Sequence, residues 1–171
     1  MPLTGNLFLT GFMASGKTTV GQLLAQRLGV GFVDLDAYIE QKHKTTIPEI
    51  FAEHGESVFR EMELQALAEL QASSNTVVAL GGGAFCNAAA QALLKDAKVI
   101  FLDASAVTLA HRLKHDSTER PLVAALSDEE LEAYIQRTVQ LRRPWYERAS
   151  LHVKSDGAVE TVLQTILETL A

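Results

Sequence analysis

Eight residues near the amino terminus, Gly11 to Thr18, read GFMASGKT and match the pattern G-x-x-x-x-G-K-[ST] in full. They follow a strand-like run, Asn6-Leu7-Phe8-Leu9-Thr10, and open an amphipathic stretch from Lys17 to about Leu28. Strand, Gly-rich turn and helix in that order let successive main-chain N–H groups wrap around a phosphate chain. Gly11 and Gly16 supply the positive φ and the close approach that such a curl needs. The unbonded N–H groups and dipole of the helix start also favour an anion. In this arrangement Lys17 reaches the β- and γ-phosphates and the Thr18 hydroxyl ligates Mg²⁺. The chain is expected to grip a nucleoside triphosphate through Gly11, Ala14, Ser15, Gly16, Lys17, Thr18 and Thr19.

The rest of the chain alternates short apolar runs with amphipathic ones. Strands are predicted at Leu7–Thr10, Gly31–Asp34, Thr76–Leu80, Val99–Asp103 and Leu151–Val153. Helices are predicted at Lys17–Leu28, Ala37–Lys44, Val58–Ala72, Ala88–Leu94, Val107–Lys114, Glu129–Leu141 and Val159–Leu170. Thr46 with Glu49 makes a capping-box pattern for a short helix ending near Gly55, and Ser127 with Glu130 makes another. Ser105 can cap the helix that follows it. This alternation implies βαβ crossovers and a parallel sheet with helices on both faces. No repeat or linker divides the chain, so residues 1–171 read as one α/β domain. His115–Pro121, HDSTERP, is polar and turn-like and reads as a mobile loop.

Composition excludes several classes of partner. Of 171 residues, 47% are hydrophobic, enough for a real core, and the net charge is −6. That balance argues against nucleic acid and against an anionic membrane surface. No stretch approaches the length of a membrane span, and the amino terminus lacks a basic n-region. The single cysteine, Cys86, excludes a disulfide framework and suits a reducing cytosol. The expectation is a cytoplasmic protein.

The chemically suggestive residues share one topological position. Gly11–Lys17 follows the first strand, Asp34 and Asp36 end the second, and Gly81-Gly82-Gly83 follows the third. In an open parallel sheet, ligands bind outside the carboxyl ends of the strands.

Beyond the phosphate loop the motifs become selective: FVDLDAYIE at 32–40, FREME at 59–63, LGGGAF at 80–85, ERPLV at 119–123 and RRPWYERA at 142–149. In this order and spacing, over nearly the whole chain, they resemble the shikimate kinase family. The resemblance implies a three-layer P-loop kinase fold of the nucleoside-monophosphate-kinase-like kind. Its five-stranded parallel sheet would carry a mobile lid at about 114–124 and a substrate-binding helical segment at about 36–63. It also implies transfer of the γ-phosphoryl of ATP to the 3-hydroxyl of shikimate, with Mg²⁺, by a monomer. Arg60 and Arg142 match the carboxylate-binding pair, a task that suits the planar guanidinium fork. Glu63 matches the acid that holds those guanidiniums. Asp36 matches the residue that accepts from the ring hydroxyls, and is the candidate base. Gly82 matches a main-chain N–H donor to the substrate. Asp34 matches a magnesium residue acting through water, with Thr18 direct. Arg120 matches the lid arginine that offsets charge on the γ-phosphoryl, and Arg112 the residue that packs on adenine. The catalytic residues implied are Lys17, Asp36 and Arg120.

Other residues have plainer readings. Asp103 ends VIFLD like a Walker B aspartate, but the resemblance puts the metal role at Asp34 and leaves Asp103 a strand-end turn. Asp34 and Asp36 could simply cap a helix, since Asp36 sits before Ala37. Arg143 and Glu61 read as surface, and Cys86, Met13 and Met62 as packing. Trp145 reads as a core or rim plug able to reshape the pocket near Arg142. His111 and His115 have zinc-capable spacing but no third ligand, so no zinc is expected. Ser155–Gly157 is expected to border the base, outside the site residues named. A gluconate or nucleotide kinase would share the phosphate loop and lid without needing Asp36, Arg60, the triple glycine and Arg142 together. A GTPase switch needs D-x-x-G and N/T-K-x-D, and neither string occurs.

Overall fold

A computed structural model describes residues 4–116, 123 and 125–171. Arg120 and most of the expected lid lie outside the described residues. Five short parallel strands form the sheet: β1 (Leu7–Thr10), β2 (Gly31–Asp34), β3 (Thr76–Ala79), β4 (Lys98–Asp103) and β5 (Leu151–Lys154). Their spatial order is β2-β3-β1-β4-β5. The central strands are near-continuous apolar runs because both faces are covered. Phe8, Val78 and Phe101 face one layer; Leu7, Leu9, Val77 and Ile100 face the other.

Among the described residues seven helices complete the layers: α1 (Lys17–Leu28), α2 (Leu35–His43), α3 (Ile47–Gln71), α4 (Ala88–Leu93), α5 (Ala106–His115), α6 (Asp128–Tyr146) and α7 (Val159–Leu170). Among the described residues, none is long and apolar enough to cross a membrane. Helices α1 and α7 cover one face through Leu24, Leu163 and Ile166, while α3 and α4 cover the other through Leu67 and Ala90. A third cluster, with Phe12, Leu109 and Ile135, joins α5 and α6. Both predicted capping boxes form, Thr46 with Glu49 and Ser127 with Glu130.

Boundaries shift by a residue or two at several elements, and two differ more from the sequence reading. The short helix ending near Gly55 and the next one make a single kinked α3, with Gly55 at φ 81 and ψ 173 where the axis breaks. Helix α6 runs past Leu141 to Tyr146, through Pro144. Proline so close to a helix end removes only one late hydrogen bond, so the last turn persists and Arg142 sits on a helix rather than a loop.

The path of the chain makes the cleft. From β1 it turns into α1 on one face; from the adjacent β3 it turns through Gly81–Gly83 toward α4 on the opposite face. Neighbouring strands whose chains leave to opposite faces open a crevice at their carboxyl ends.

Candidate active site

The cleft encloses about 890 Å³ and runs from the α2–α3 corner across the phosphate loop to the start of α7. Its middle is the loop after β1. Gly11 has φ 147, Ala14 φ 63 and Gly16 φ 100. A methyl on Gly11 would lie 2.7 Å from the Leu102 carbonyl oxygen and 2.7 Å from Ser15 Oγ, so no side chain fits there. The Ser15 N–H donates to the Phe12 carbonyl at 3.1 Å and closes the turn. No side chain caps α1. Its first N–H groups are left for an anion. Lys17 Nζ arches back over the loop and donates to the Gly11 and Phe12 carbonyls at 2.8 and 2.9 Å.

Beside the loop, Thr18 Oγ1 donates to Asp34 Oδ2 at 3.1 Å. The other oxygen of Asp34 accepts from the Ala37 N–H at 3.1 Å, so Asp34 caps α2. Of the two aspartates that could cap this helix, Asp34 does so: the strand ends at Asp34 and the helix begins at Leu35. That leaves the Asp36 carboxylate turned into the cleft. Two hard oxygen donors side by side fit magnesium, which takes few protein ligands and keeps waters and substrate phosphates for the rest. Among the described residues no group of three or more His, Cys, Asp or Glu could hold an ion. The rings of His111 and His115 stack with centroids 4.4 Å apart.

The far side of the cleft gathers the acidic and guanidinium groups. Arg60 Nη1 donates to Glu63 Oε1 at 2.8 Å, with Glu63 only 3% exposed. The close approach of the triple glycine shows how tightly the groups converge. A methyl on Gly81 would lie 3.0 Å from Asp36 Oδ1 and 3.3 Å from Glu63 Oε2. One on Gly82 would lie 3.3 Å from Arg142 Nη1, and one on Gly83 3.0 Å from Arg60 Nη2. A side chain on this wall would press on those carboxylate and guanidinium groups and push them back. Burial raises the Asp36 carboxyl above its ordinary range, Asp34 adds to the rise, and Lys17 partly offsets it. Burial also raises Glu63, against the pull of its hydrogen bond from Arg60. The guanidinium of Arg142 lies over the Phe12 ring at 5.7 Å.

The opposite end is a slot for a flat group. Arg112 Nη1 donates to the Ala14 carbonyl at 3.1 Å and Nη2 to the Ser155 carbonyl at 2.5 Å. In-plane donors so engaged fix the plane of the guanidinium and leave its face to stack. Ser155, Gly157, Val159 and Val162 line the same end. Asp156 pins this loop by accepting from the Ser105 N–H at 2.8 Å. The Thr108 hydroxyl and the Ser105 donors push its carboxyl down to about 2.

The structure thus brings together Lys17, Thr18, Asp34, Asp36, Arg60, Gly82, Arg112 and Arg142. It also corrects three plainer readings. Arg143 is not free surface: its Nη2 donates to Asp103 Oδ1 at 3.0 Å, while Lys154 Nζ donates to Asp103 Oδ2 at 2.6 Å. Asp103 is accordingly an ion-pair hub and not a mere turn. Trp145 does not line the cleft; it is half-buried, with Arg148 over its ring at 5.0 Å. Of that motif, Arg142 lines the cleft, while Tyr146, to which sequence reasoning gave no role although it closes the R-x-P-x-Y string, lies behind it and donates its hydroxyl to the Gly82 carbonyl.

A phosphate-binding turn at the centre strand, with a cleft of carboxylates and guanidiniums beside it, defines a P-loop kinase of a small polar substrate. The sequence profile of the shikimate kinase family matches residues 13–171. A shikimate kinase from Gloeobacter violaceus is 42% identical over 169 residues, 97% of this chain and 92% of its own. The crystal structure of a shikimate kinase from Bacteroides thetaiotaomicron has a TM-score of 0.93 at 35% identity, covering 97% of this chain and 98% of its own. One from Acinetobacter baumannii, in complex with shikimate, has a TM-score of 0.87 at 36% identity, covering 97% and 92%. A gluconokinase from Sinorhizobium meliloti shares the fold alone, at 20% identity and a TM-score of 0.67. The chain belongs to the shikimate kinase family, ATP-dependent enzymes that phosphorylate shikimate.

Proposed function

We propose that the protein transfers the γ-phosphoryl group of ATP to the 3-hydroxyl of shikimate, with the residue roles set out below. The observation that carries this is the convergence of Asp36, Arg60, Arg142 and the bare Gly82 main chain on one wall, directly beside Lys17. Two guanidinium forks suit a carboxylate, and a buried carboxylate beside them suits ring hydroxyls.

On this reading the N–H groups from Gly11 to Thr19 hold the triphosphate and Lys17 releases its two carbonyls to meet the β/γ-phosphates. Thr18, and Asp34 through water, would hold Mg²⁺, which would supply positive charge to offset that of the phosphates. Arg112 and the Ser155–Gly157 loop hold adenine. Arg60 and Arg142 take the shikimate carboxylate, with Glu63 keeping Arg60 in place. The 3-hydroxyl oxygen attacks the γ-phosphorus, its proton passes to Asp36, and the bond to the β-phosphate oxygen breaks to leave ADP. The raised Asp36 carboxyl is better matched to accepting that proton than an ordinary one. Arg120, from the lid segment, would offset charge on the transferring group and help exclude water.

The protein would work as a cytoplasmic monomer, in keeping with its small size and lone Cys86. A coupled assay offering shikimate, gluconate and nucleoside monophosphates side by side tests the reading. Phosphorylation of shikimate alone is the expected result; turnover of gluconate without shikimate would end it.

A further inference from the structure

Tyr146 is the largest side chain to be wholly buried, at 0% exposed, yet it carries a polar group that must find a partner. Its ring stacks on Phe101 of β4 at 5.0 Å and 24°. Its hydroxyl donates to the Gly82 carbonyl at 2.5 Å, a bond that joins residues 64 apart in sequence. Burial pushes the hydroxyl far above its ordinary range, so it stays a donor at any working pH. Tyr146 lies four residues after Arg142 on α6, hence on the same helix face one turn on. Both side chains therefore meet one glycine: Arg142 Nη1 is 3.3 Å from where a Gly82 methyl would stand, and Tyr146 holds its carbonyl oxygen.

Two consequences follow from covalent geometry. The peptide after Gly82 is trans, like every other described here, so its C=O and the Gly83 N–H point in opposite directions. Fixing the carbonyl toward α6 fixes the Gly83 N–H away from it. Gly82 and Gly83 have no side chains to anchor the loop themselves, and glycine is the residue with most main-chain freedom to lose. Meanwhile Pro144 removes one of the last hydrogen bonds of α6, so that turn needs an anchor from outside.

We propose that Tyr146 is a positioning residue for the acid site, its hydroxyl locking the glycine wall and the Arg142 turn in register across the cleft. This rests on the assignment of Arg142 and Gly82 to the shikimate side. It makes the precision of acid binding depend on a group that never touches substrate, and it leaves the nucleotide side untouched.

Tyr146→Phe tests this, because it deletes one oxygen and keeps the stacked ring. The expected result is a rise of roughly tenfold in KM for shikimate. ATP affinity, read by fluorescence titration, and kcat at saturating shikimate should stay within about twofold. Arg142→Ala is run beside it. If Arg142→Ala raises KM for shikimate and Tyr146→Phe does not, Tyr146 merely packs and the proposal is overturned. An equal loss of ATP affinity in Tyr146→Phe overturns it too, since general loosening would act on both halves. If Arg142→Ala leaves shikimate binding unchanged, the assignment beneath the proposal falls, and the proposal with it. Circular dichroism at the assay temperature confirms that each variant is folded.

Discussion

Replacing Asp103 by asparagine separates two roles that its sequence context suggests equally. At the end of VIFLD, on the strand next to β1, it has the look of a metal ligand. In the structure both of its oxygens are taken by cations, Arg143 at 3.0 Å and Lys154 at 2.6 Å, and its side chain is only 12% exposed. Asparagine keeps the shape but loses the charge and turns one acceptor into a donor facing a cation. The Lys154 share is small, because that side chain is 80% exposed and largely solvated. The Arg143 bond, at 39% exposure, is a partly sheltered charge-assisted pair; losing it costs about 1.5–3 kcal/mol. For a chain of this size about 1 kcal/mol moves Tm by 2–4 °C, so a drop of roughly 3–12 °C is expected near neutral pH. The pH dependence has a definite sign. Burial raises the Asp103 carboxyl, but hydrogen bonds from Lys154 and Arg143 outweigh it and hold the group below the usual 3.8. A depressed folded value means the stabilisation is fully present above the unfolded pKa and is lost as pH falls below about 4. Thermal melts of both proteins should differ by a constant amount from about pH 8 to 5 and converge in acid. With shikimate and ATP saturating, kcat should change less than about threefold. A kcat lower by several orders with Tm unmoved would refute the reasoning and put Asp103 on the metal.

Three further outcomes follow from the geometry. Arg60→Ala leaves Glu63 buried without its partner and removes half of the proposed acid clasp. A loss of about 2–5 kcal/mol in shikimate binding is expected, with ATP affinity within a few-fold; equal losses for both ligands would contradict the division of the cleft. The rate should fall as pH drops through the Asp36 value, which burial raises above 3.8, so kcat/KM for shikimate needs an acid limb above the usual carboxylate range. A flat profile down to about pH 4 would remove Asp36 as the base. Gly55→Ala meets no atom within 4 Å, yet its φ of 81 and ψ of 173 are open essentially to glycine alone. Urea unfolding should show a loss of about 1–3 kcal/mol from backbone strain, and an unchanged midpoint would show that the kink relaxes freely.

What was legible in the sequence is what depends on local chemistry. Gly11 and Gly16 are required by backbone angles that few other residues adopt, so their spacing announces the loop before any tertiary contact exists. The three inner strands, β1, β3 and β4, were legible because two-sided burial demands short apolar runs. The ends of elements were less so. Asp34 and Asp36 both look like caps, and only the position where β2 stops decides that Asp34 takes the Ala37 N–H. Pro144 reads as a stop, but one lost hydrogen bond near the end of a nineteen-residue helix does not outweigh the packing of Ile135 and Tyr146. Least legible were contacts with no periodicity behind them. Asp103 meets Lys154 because β4 and β5 pair in a register that sets those two side by side, a fact that appears only when the sheet forms. Tyr146 carries no charge and sits in an apolar setting, so nothing local distinguishes it from core.

The sheet also accounts for why one cleft can serve two ligands. The strand carrying the phosphate loop lies in the middle, with β3 on one side and β4 on the other. Groups that reach the cleft from β2, β3 and α3 fall on one flank: Asp36, Arg60 and the glycine wall. Those arriving from α5 and the end of β5 fall on the other: Arg112 and the Ser155 loop. The Asp36 carboxyl feels Lys17 on one side and Arg60 on the other, so it stands at the seam between the flanks. On the proposed reading, the transferring group passes at that seam. The acceptor hydroxyl and the end of the triphosphate are then delivered to the same point by the topology of the strands. Catalysis is left to supply charge neutralisation and a place for one proton, rather than a long movement of either ligand.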